Sequence, residues 1–412
     1  MLIGISSILW IVTTVFVILI AIYLTIYYNF AQFKLSNKVN NNVKSDTLKL
    51  LFVTLSGKIG VGSISGVAIS IIVGGKGTIL WIWLSSIILS IFTYIEVKTG
   101  IKYKKKINDT IIGGPLIYIK EEYKSRLLSN IYIFLIVITY LFAFILIQSN
   151  TIILSIKNCI NINEIIILLL LIIIILKSIT DGFKTISKII MYLFPIMAIS
   201  YILIGIYVFI NNINQMPTIL EEVIKQSTNI KSLLTIPFII GFQRSIFSNE
   251  IGVGTTSMII SMSDSNNYQK EAFIQMLGMY FISLIVCTIS AMIILTTNYD
   301  KLSIININSI EIINYSFNYH FGHYGKIIST IIISIFAFST IITSYYYGNI
   351  SLNYLFNIKN NKIPKIIVII VVILSNYINC SNIWSIVDIV IALTTLINVY
   401  VLFRIRKKIR SI

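Results

Sequence analysis

Long apolar runs, separated by short charged stretches, constrain this sequence more than any other feature. The first run, Ile8 to Ile26, contains no charged residue. Only 11% of the 412 residues are charged, against about 25% in soluble domains, so a soluble fold would have too few polar side chains for its surface. Runs of roughly 20 apolar residues are typical of transmembrane helices. The sequence therefore predicts an all-α integral membrane protein in a lipid bilayer.

We predict about eleven membrane spans. The first lacks the basic region and small-residue cleavage site of a signal peptide, so we expect it to be retained as a helix. The polar stretch from Asn298 to Tyr324, between spans 8 and 9, is long enough to hold a short lid helix. The predicted spans lie near residues 5–27, 48–73, 77–98, 130–156, 164–179, 186–211, 231–261, 270–297, 325–350, 363–380 and 382–403.

The lysines and arginines set the orientation of these spans. With the N-terminus outside, 24 of them lie in inside loops or the tail and 6 in outside loops, while Lys58 and Arg244 lie within spans. Basic residues concentrate on the cytoplasmic side of membrane proteins. We therefore predict an outside N-terminus and a cytoplasmic C-terminus in the cell (inner) membrane. This distribution accounts for the net charge of +17, so the charge does not indicate a nucleic-acid partner.

Two spans are interrupted by similar glycine clusters. The second contains Gly60-Val61-Gly62 and the seventh contains Gly252-Val253-Gly254, each followed by a hydroxyl residue. The clusters are five spans apart, an odd number, so their helices enter the membrane from opposite sides. This arrangement predicts an inverted repeat of five plus five helices with two broken helices.

The repeat divides one transmembrane transporter domain, residues 1–412. Its halves are residues 48–212 and 231–404, and residues 1–47 add an extra N-terminal helix and loop. Broken helices at matching positions of two halves indicate a transporter's binding site. Free N–H groups at a break suit a carboxylate and free carbonyls suit a cation, so we expect a small amino acid and Na⁺. The alternative is that the glycines only allow close helix packing.

Ionisable residues within spans are also candidates for function. Each costs ~2.5–3.5 kcal/mol on insertion scales. Lys58 and Glu250 lie in the breaks themselves and are the stronger candidates. Glu96, Arg244 and Asp388 lie towards helix ends, where structural pairing or snorkelling explains them equally well.

The sequence contains no set of catalytic residues. It has no Ser/His/Asp set, no HExxH motif and no nucleotide-binding loop, so we do not expect an enzyme or a cofactor. His320 and His323 lack nearby carboxylate or cysteine partners for a metal site, which leaves Na⁺ as the only metal considered. Nothing indicates the filter loop of a channel. The sequence does not define an oligomeric state.

Ordered motifs along nearly the whole chain resemble one family. They are Leu24-Thr25-Ile26 to Gln32-Phe33, Gly74-Gly75 with Trp81-Ile82-Trp83, Gly113-Gly114-Pro115, Gln148, Phe247 to Gly254, Gln275 to Gly278, Phe336 to Thr340, Tyr345 to Gly348, and Asp388 with Asn398. In this succession the chain resembles the alanine or glycine:cation symporters, the bacterial sodium:alanine symporter family. The resemblance implies a LeuT-like inverted-repeat amino-acid transporter that works by alternating access.

The resemblance also implies particular site residues. Ser339 and Thr340 would supply hydroxyl ligands to a Na⁺ between spans 2 and 9. Lys58 and Glu250, chosen as ionisable residues in the breaks rather than from the resemblance, are the further candidates for ion or coupling residues. Gln148, in a polar cluster of span 4, would contact the substrate or serve hydrogen bonding within the bundle. The implied substrate-binding residues are Gly60, Gly62, Ser63, Gln148, Phe247, Ser248, Asn249, Gly252, Gly254 and Thr255.

The motif in the second span departs from the family. It usually reads Thr-Val-Gly-Thr-Gly-Asn, whereas this chain has Lys58-Ile59-Gly60-Val61-Gly62-Ser63. We predict that the Lys58 ammonium replaces a sodium ion beside Ser339 and Thr340, which makes transport independent of Na⁺. Alternatively, Lys58 snorkels to the cytoplasmic surface. The coupling ion is therefore Na⁺, H⁺ or neither, and a proton-coupled carrier, an exchanger or a non-transporting sensor are the alternatives.

Overall fold

The computed structural model describes residues 2–34, 45–107, 110–160, 162–228, 236–265, 267–298, 309–357, 362–378 and 380–411. Its α-helices are Leu2–Tyr27, Ser45–Lys58, Val61–Gly74, Thr78–Lys102, Pro115–Glu121, Arg126–Val137, Ile145–Cys159, Glu164–Ser178, Phe183–Asn211, Met216–Thr228, Ile236–Asn249, Thr255–Ile260, Tyr268–Tyr280, Cys287–Leu295, Ser309–Phe321, Gly325–Phe356, Lys362–Leu374, Cys380–Arg404 and Arg406–Arg410. The π-helical segments Ile138–Phe144 and Phe281–Val286 each join two α-helices, and the 3-10 turns are Ala31–Phe33, Ile213–Gln215 and Gly322–Tyr324.

Within these residues, eight helices are long and apolar enough to cross a membrane. They are Gly4–Tyr27, Asp46–Gly74, Thr78–Lys102, Arg126–Cys159, Phe183–Asn211, Tyr268–Leu295, Ser309–Phe356 and Ile383–Arg404. The three other predicted spans contain shorter helices. Glu164–Ser178 has 15 residues, Lys362–Leu374 has 13, and the predicted seventh span is divided into helices of 14 and 6 residues. The architecture is that of a multi-pass membrane protein.

Apolar side chains cover the outside of the bundle. In the helix Phe183–Asn211, Ile196, Ile199 and Leu203 are 61%, 59% and 60% exposed, whereas Ile190 on the same helix is fully buried. Exposed aliphatic surface is unfavourable in water and favourable in hydrocarbon. This distribution explains how the chain folds with so few charged residues.

Two helices are broken where the glycine clusters predict. The first broken helix comprises Ser45–Lys58 and Val61–Gly74. The second broken helix comprises Ile236–Asn249 and Thr255–Ile260. Residues 231–235 of the predicted seventh span lie outside the described residues.

The two broken helices pack against each other and run antiparallel. At one end, a Cβ built on Gly74 would lie 3.5 Å from the Ile240 Cβ. At the break of the first broken helix, the Lys58 Nζ donates a hydrogen bond to the Thr256 Oγ1 at 2.9 Å. The chain number therefore rises along one helix as it falls along the other, which agrees with their predicted entry from opposite sides.

The C-terminal ends of the first and last long helices lie together. The Arg406 guanidinium lies over the rings of Tyr23 and Tyr27, at 5.3 and 5.8 Å from their centroids. The Tyr28 hydroxyl donates to the Arg406 carbonyl at 2.9 Å. These two helices are therefore parallel, and cation–π contacts hold the basic tail against the first helix.

Other basic residues collect at the same end of the bundle. Lys104 donates to the Ser263 carbonyl at 2.8 Å, and Lys408 donates to Glu122 at 2.6 Å. The hydrogen bond from Lys408 lowers the pKa of the Glu122 carboxyl. All of these loops are predicted to lie inside.

Contacts at the opposite end join loops that are predicted to lie outside. Lys76, after the first broken helix, pairs with Glu222 at 2.6 Å. Asn376 donates to Glu164 at 2.8 Å. The two sets of loops are thus separated at opposite ends of the molecule.

Two short helices and a hairpin lie between the predicted spans. The helix Ser309–Phe321 confirms the predicted short helix between spans 8 and 9. The helix Met216–Thr228 lies in a region without a predicted helix, because its charged residues make it too polar for a span. The strands Lys105–Ile107 and Thr110–Ile112 form an antiparallel hairpin in the loop between the predicted third and fourth spans.

Candidate functional site

The break in the first broken helix lies at Ile59 and Gly60. The Gln148 side chain, 1% exposed, accepts a hydrogen bond from the Val61 N–H at 3.2 Å. The Ser63 hydroxyl donates to the Gly60 carbonyl at 2.9 Å. Gln148 therefore satisfies one backbone group that the interruption frees, as buried breaks require. Its contact with a ligand stays a prediction.

The second break is a left-handed segment of backbone. Glu250, Gly252 and Gly254 have φ values of 49°, 74° and 104°. A Cβ at Gly254 would lie 2.3 Å from the Pro115 Cγ. Gly254 therefore meets both a conformational and a steric requirement that only glycine satisfies.

Side chains from other helices satisfy the carbonyls of this break. The Tyr132 hydroxyl donates to the Val253 carbonyl at 2.5 Å, and the Asn398 amide donates to the Gly252 carbonyl at 2.8 Å. The Tyr118 hydroxyl donates to the Asn398 side-chain oxygen. Side chains of two other helices therefore hold the break in a defined conformation.

The two breaks meet at the second half of the first broken helix. A Cβ at Gly62 would lie 2.5 Å from the edge of the Phe247 ring. The Ser248 hydroxyl donates to the Gly62 carbonyl at 3.3 Å. The Phe247 ring also packs against Phe144 and Trp384, with centroid separations of 5.6 and 5.4 Å. The structure thus brings Gly62, Phe247 and Ser248 together.

Asn249 and Thr255 make contacts within the protein. The Asn249 amide donates to the Ser245 carbonyl at 3.1 Å and the Ser283 hydroxyl at 2.7 Å. The Thr255 hydroxyl donates to the Glu250 carboxylate at 2.6 Å. Both side chains therefore stabilise the second break, and their predicted contact with substrate stays a prediction.

Oxygen atoms cluster where the first break faces the helix Gly325–Phe356. The Thr340 hydroxyl lies 3.1 Å from the Ser56 carbonyl and 3.5 Å from the Ile59 carbonyl. The Ser339 hydroxyl lies 3.4 Å from the Ser56 carbonyl. Carbonyls of unwound helices and nearby hydroxyls are the ligands that such transporters offer to Na⁺. The two hydroxyls implied as sodium ligands therefore lie together.

Lys58 is buried and points towards the second break. Its side chain is 6% exposed, and its ammonium donates to Thr256. Snorkelling to the surface is therefore wrong. The structure places the ammonium on Thr256 and not on Ser339 or Thr340, where we expected it, because the side chain extends across the interface between the broken helices. Its replacement of Na⁺ stays a prediction.

Glu96 joins Glu250 and Lys58 around the second break. One Glu96 oxygen accepts a hydrogen bond from the Gly254 N–H at 3.1 Å. Both carboxylates interact electrostatically with Lys58. From the sequence, Glu96 was a candidate only because it is an ionisable residue near the end of an apolar span.

Arg244 and Asp388 form a buried ion pair. The guanidinium donates to both oxygens of Asp388, at 3.2 and 3.1 Å, and Gln243 donates to the same carboxylate at 2.9 Å. The Arg244 guanidinium also lies 5.6 Å from the centroid of Phe247 and 5.2 Å from that of Trp384. Structural pairing therefore explains both residues, and snorkelling does not.

A cavity of about 560 Å³ adjoins this ion pair. Its walls include Trp10 of the first helix, Val73 of the first broken helix and Ile240 of the second, and Arg244 and Asp388 contribute the charged groups. The aromatic ring of Phe247, which contacts the breaks, packs on the Arg244 of this cavity.

Two antiparallel broken helices inside a bundle of membrane-length helices define the class of multi-pass membrane transporters. The fold is similar to that of a substrate-bound, outward-open Na⁺-coupled sialic acid symporter, with a TM-score of 0.55 and 15% identity over 95% of this chain and 83% of that one. The chain belongs to the sodium:alanine symporter family, whose sequence profile matches residues 1–412. The resemblance seen in the sequence is thereby confirmed.

Curated relatives cover most of both chains. The amino-acid carrier protein AlsT of Bacillus subtilis is 26% identical over 96% of this chain and 87% of its own length. The sodium/alanine symporter AgcS of Methanococcus maripaludis is 24% identical over 82% of this chain and 77% of its own. The family consists of transporters, and this chain is a membrane transport protein rather than an enzyme.

Proposed function

We propose that this protein takes up a small neutral amino acid of the alanine or glycine type by cation-coupled alternating access. The observation that carries this proposal is the meeting of the two breaks at Gly62, Phe247 and Ser248. The relatives that are named as an amino-acid carrier and a sodium/alanine symporter support the substrate class.

The substrate binds between the two breaks in this proposal. The backbone N–H group of Gly62, in the first turn of the second half of the first broken helix, receives the substrate carboxylate. The Phe247 ring lies against Gly62, and a small substrate side chain suits so close a contact between the two broken helices. The predicted substrate residues Gly60, Gln148, Ser248, Asn249, Gly252, Gly254 and Thr255 frame the same region.

We further propose eleven spans in a five-plus-five inverted repeat, with residues 48–212 and 231–404 as halves of one domain. The described loop contacts support this topology, because those given above join inside loops to inside loops and outside loops to outside loops. The basic end is then cytoplasmic, and the protein lies in the cell membrane.

Na⁺ is the coupling ion that the oxygen cluster favours. Ser339, Thr340 and the carbonyls of Ser56 and Ile59 stay available to a cation, because the Lys58 ammonium is engaged with Thr256. The second candidate is a sodium-independent carrier that uses Lys58, and the burial of this charge beside the breaks favours it.

Uptake of a labelled amino-acid panel into proteoliposomes tests these proposals, with Na⁺ and proton gradients varied independently. We expect alanine or glycine to be taken up best, and replacement of Na⁺ by choline at fixed pH to lower the rate. Equal uptake in choline would contradict sodium coupling and support the second candidate. If the protein takes up none of the small neutral amino acids, the proposed substrate class is wrong.

A matched pair of variants locates the ion. Thr340→Val removes a hydroxyl from the oxygen cluster. We expect the apparent Na⁺ affinity to fall about tenfold or more, because the loss of one polar ligand costs about 1.4 kcal/mol or more of binding free energy. Thr330→Val is the control, since Thr330 is on the same helix and its hydroxyl donates to the Ser155 carbonyl instead. Equal Na⁺ dependence in both variants would place the ion elsewhere.

A further inference from the structure

Two arginines of the C-terminal segment lie against the same tyrosine ring. The helix Arg406–Arg410 carries an arginine at each end. Residues four positions apart lie on one face of a helix, with Cβ atoms about 5–6 Å apart. The guanidinium of Arg406 lies 5.8 Å from the centroid of Tyr27, and that of Arg410 lies 4.8 Å from it. Two positive charges are therefore held together beside the end of the first helix.

Further contacts fix the Arg406 guanidinium in place. It also lies 5.3 Å from the centroid of Tyr23 and 4.2 Å from that of Phe403. Its Nε donates to the Tyr23 hydroxyl at 3.1 Å, and one terminal nitrogen donates to the Phe403 carbonyl at 2.8 Å. A guanidinium has five N–H groups, so the other three have no acceptor within the part of the chain that the structure describes.

No carboxylate of the described residues balances these two charges. Neither Arg406 nor Arg410 lies within ion-pairing distance of an acidic side chain there. Glu122, at the same end of the molecule, pairs with Lys408 at 2.6 Å. Lys102 adds a further positive charge, since its ammonium donates to the Lys408 carbonyl at 3.4 Å. Like charges that lie close together repel each other, so an anion that contacts both guanidinium groups is favoured at this site.

The surface beside the two arginines is that of a helix in contact with lipid. Leu19, Ile22 and Ile26 of the first helix are exposed, and their spacing of three and four positions places them on one face. Tyr23 is also exposed, and tyrosine is typical of the level at which a bilayer meets water. The arginines therefore lie at the level of lipid headgroups, next to an apolar face that suits acyl chains.

We propose that Arg406 and Arg410 bind the phosphate group of an anionic phospholipid. A guanidinium forms paired hydrogen bonds with phosphate oxygens, and the remaining N–H groups of Arg406 and those of Arg410 are the donors. The acyl chains lie along the exposed apolar face of the first helix. The bound lipid thus bridges the first helix and the C-terminal segment, and this inference does not depend on the transported substrate.

A phospholipid suits this site better than a soluble anion. The site lies at the basic end of the molecule, which we propose to be cytoplasmic, and the negative surface of the cytoplasmic leaflet attracts basic segments next to a membrane span. Free phosphate offers the same oxygens but has no acyl chains, so it would contact the guanidinium groups alone. The phosphate group is the chemistry that both sources share, and the acyl chains distinguish them.

Native mass spectrometry of the full-length protein in detergent tests the site without relying on transport. Phosphatidylglycerol is titrated in, and the affinity of the first bound lipid is measured. We expect it to bind at least about fivefold more tightly than phosphatidylcholine with the same acyl chains, whose headgroup has no net charge. Equal affinity for the two lipids overturns the proposal. Inorganic phosphate that displaces phosphatidylglycerol at equal concentration also overturns it, because a soluble anion then occupies the site.

Three variants with the same loss of charge separate a defined site from a diffuse basic surface. Arg406→Gln and Arg410→Gln should each weaken phosphatidylglycerol binding about fivefold, the effect of one basic residue near an anionic membrane surface. Arg404→Gln is the control, since Arg404 is exposed on the same side of the bundle and interacts electrostatically with Tyr123. It should bind the lipid within about twofold of the wild type. Equal weakening by all three variants overturns the site.

Arg410→Gln keeps the test decisive if Arg406→Gln does not fold. Arg406 has hydrogen bonds to Tyr23 and Phe403, whereas the Arg410 guanidinium has none among the described residues. We therefore expect folded Arg410→Gln protein with weakened phosphatidylglycerol binding and unchanged phosphatidylcholine binding. Wild-type affinity for phosphatidylglycerol in this variant contradicts the proposal.

Discussion

Gly62 illustrates how a single residue sets the geometry of the site. A Cβ at Gly62 would lie only 2.5 Å from the edge of the Phe247 ring. Gly66, one turn further along the same helix, would place its Cβ at 3.7 Å from Arg244, an ordinary contact. The two glycines therefore have different functions in one helix, because only the first lets the opposite break approach so closely.

We predict that Gly62→Ala lowers alanine transport about 10- to 100-fold, because the added methyl group displaces Phe247 and small misplacements at a binding site are costly. Gly66→Ala should transport alanine within about twofold of the wild type. Initial rates of labelled alanine uptake, normalised to inserted protein, measure both. Similar rates for the two variants would place the substrate away from Gly62. Gly254 does not serve this test, since its φ of 104° and its contact with Pro115 make any side chain disruptive.

Residues differ in how well the sequence predicted their positions. The two matched glycine clusters predicted both breaks, but they did not indicate that Phe247 and Ser248 would lie against Gly62. The direction of Lys58 was not, because a long side chain can reach several partners and the sequence does not tell which helix faces it. Glu96 was flagged by its charge alone, since its hydrogen bond to Gly254 joins residues 158 positions apart.

At the scale of elements, buried polar contacts fix the second broken helix in place. Tyr132 and Asn398 hold its carbonyls, Glu96 holds an N–H group at its break, and Asp388 pairs with Arg244 before the break. These four partners come from three other helices, Thr78–Lys102, Arg126–Val137 and Cys380–Arg404. The break is therefore stable only in the assembled bundle, which explains why local sequence predicts that a break exists but not its conformation.

The Arg244–Asp388 pair gives a prediction about this element. Asp388→Ala leaves a buried guanidinium without its counter-ion and should destabilise the protein by about 3–5 kcal/mol. The double variant Arg244→Met/Asp388→Leu should recover most of that loss, because no unpaired charge remains. Thermal unfolding of purified protein in detergent measures both. A double variant as unstable as Asp388→Ala would show that packing, rather than charge pairing, dominates there.

At the scale of the whole molecule, basic residues gather at one end and apolar surface surrounds the middle. The long apolar helices were predictable from the apolar runs, and the antiparallel broken pair from the two glycine clusters that lie an odd number of spans apart. The exceptions are short elements outside the apolar runs. Met216–Thr228 is an amphipathic helix whose Glu222 pairs with Lys76, and the strands Lys105–Ile107 and Thr110–Ile112 pair with each other. A search for long apolar runs finds neither of them.

A further prediction concerns the orientation of the molecule in the membrane. A reporter active only in the cytoplasm should be active when it is fused after Ile412, because the basic tail packs with loops rich in lysine. A periplasmic reporter at the same junction should be inactive, and both fusions need equal expression for the comparison. Periplasmic activity there would contradict the predicted orientation and the odd number of spans.

Counterflow of labelled alanine in proteoliposomes tests the central claim most directly. With unlabelled alanine inside, labelled alanine outside and no ion gradient, a carrier that alternates access accumulates the label transiently, whereas a non-transporting sensor does not. We expect counterflow for the wild type and for Gly66→Ala, and a strongly reduced rate of counterflow for Gly62→Ala. The absence of counterflow of both alanine and glycine, in correctly folded wild-type protein, would contradict the proposal that this chain carries small neutral amino acids between its two broken helices.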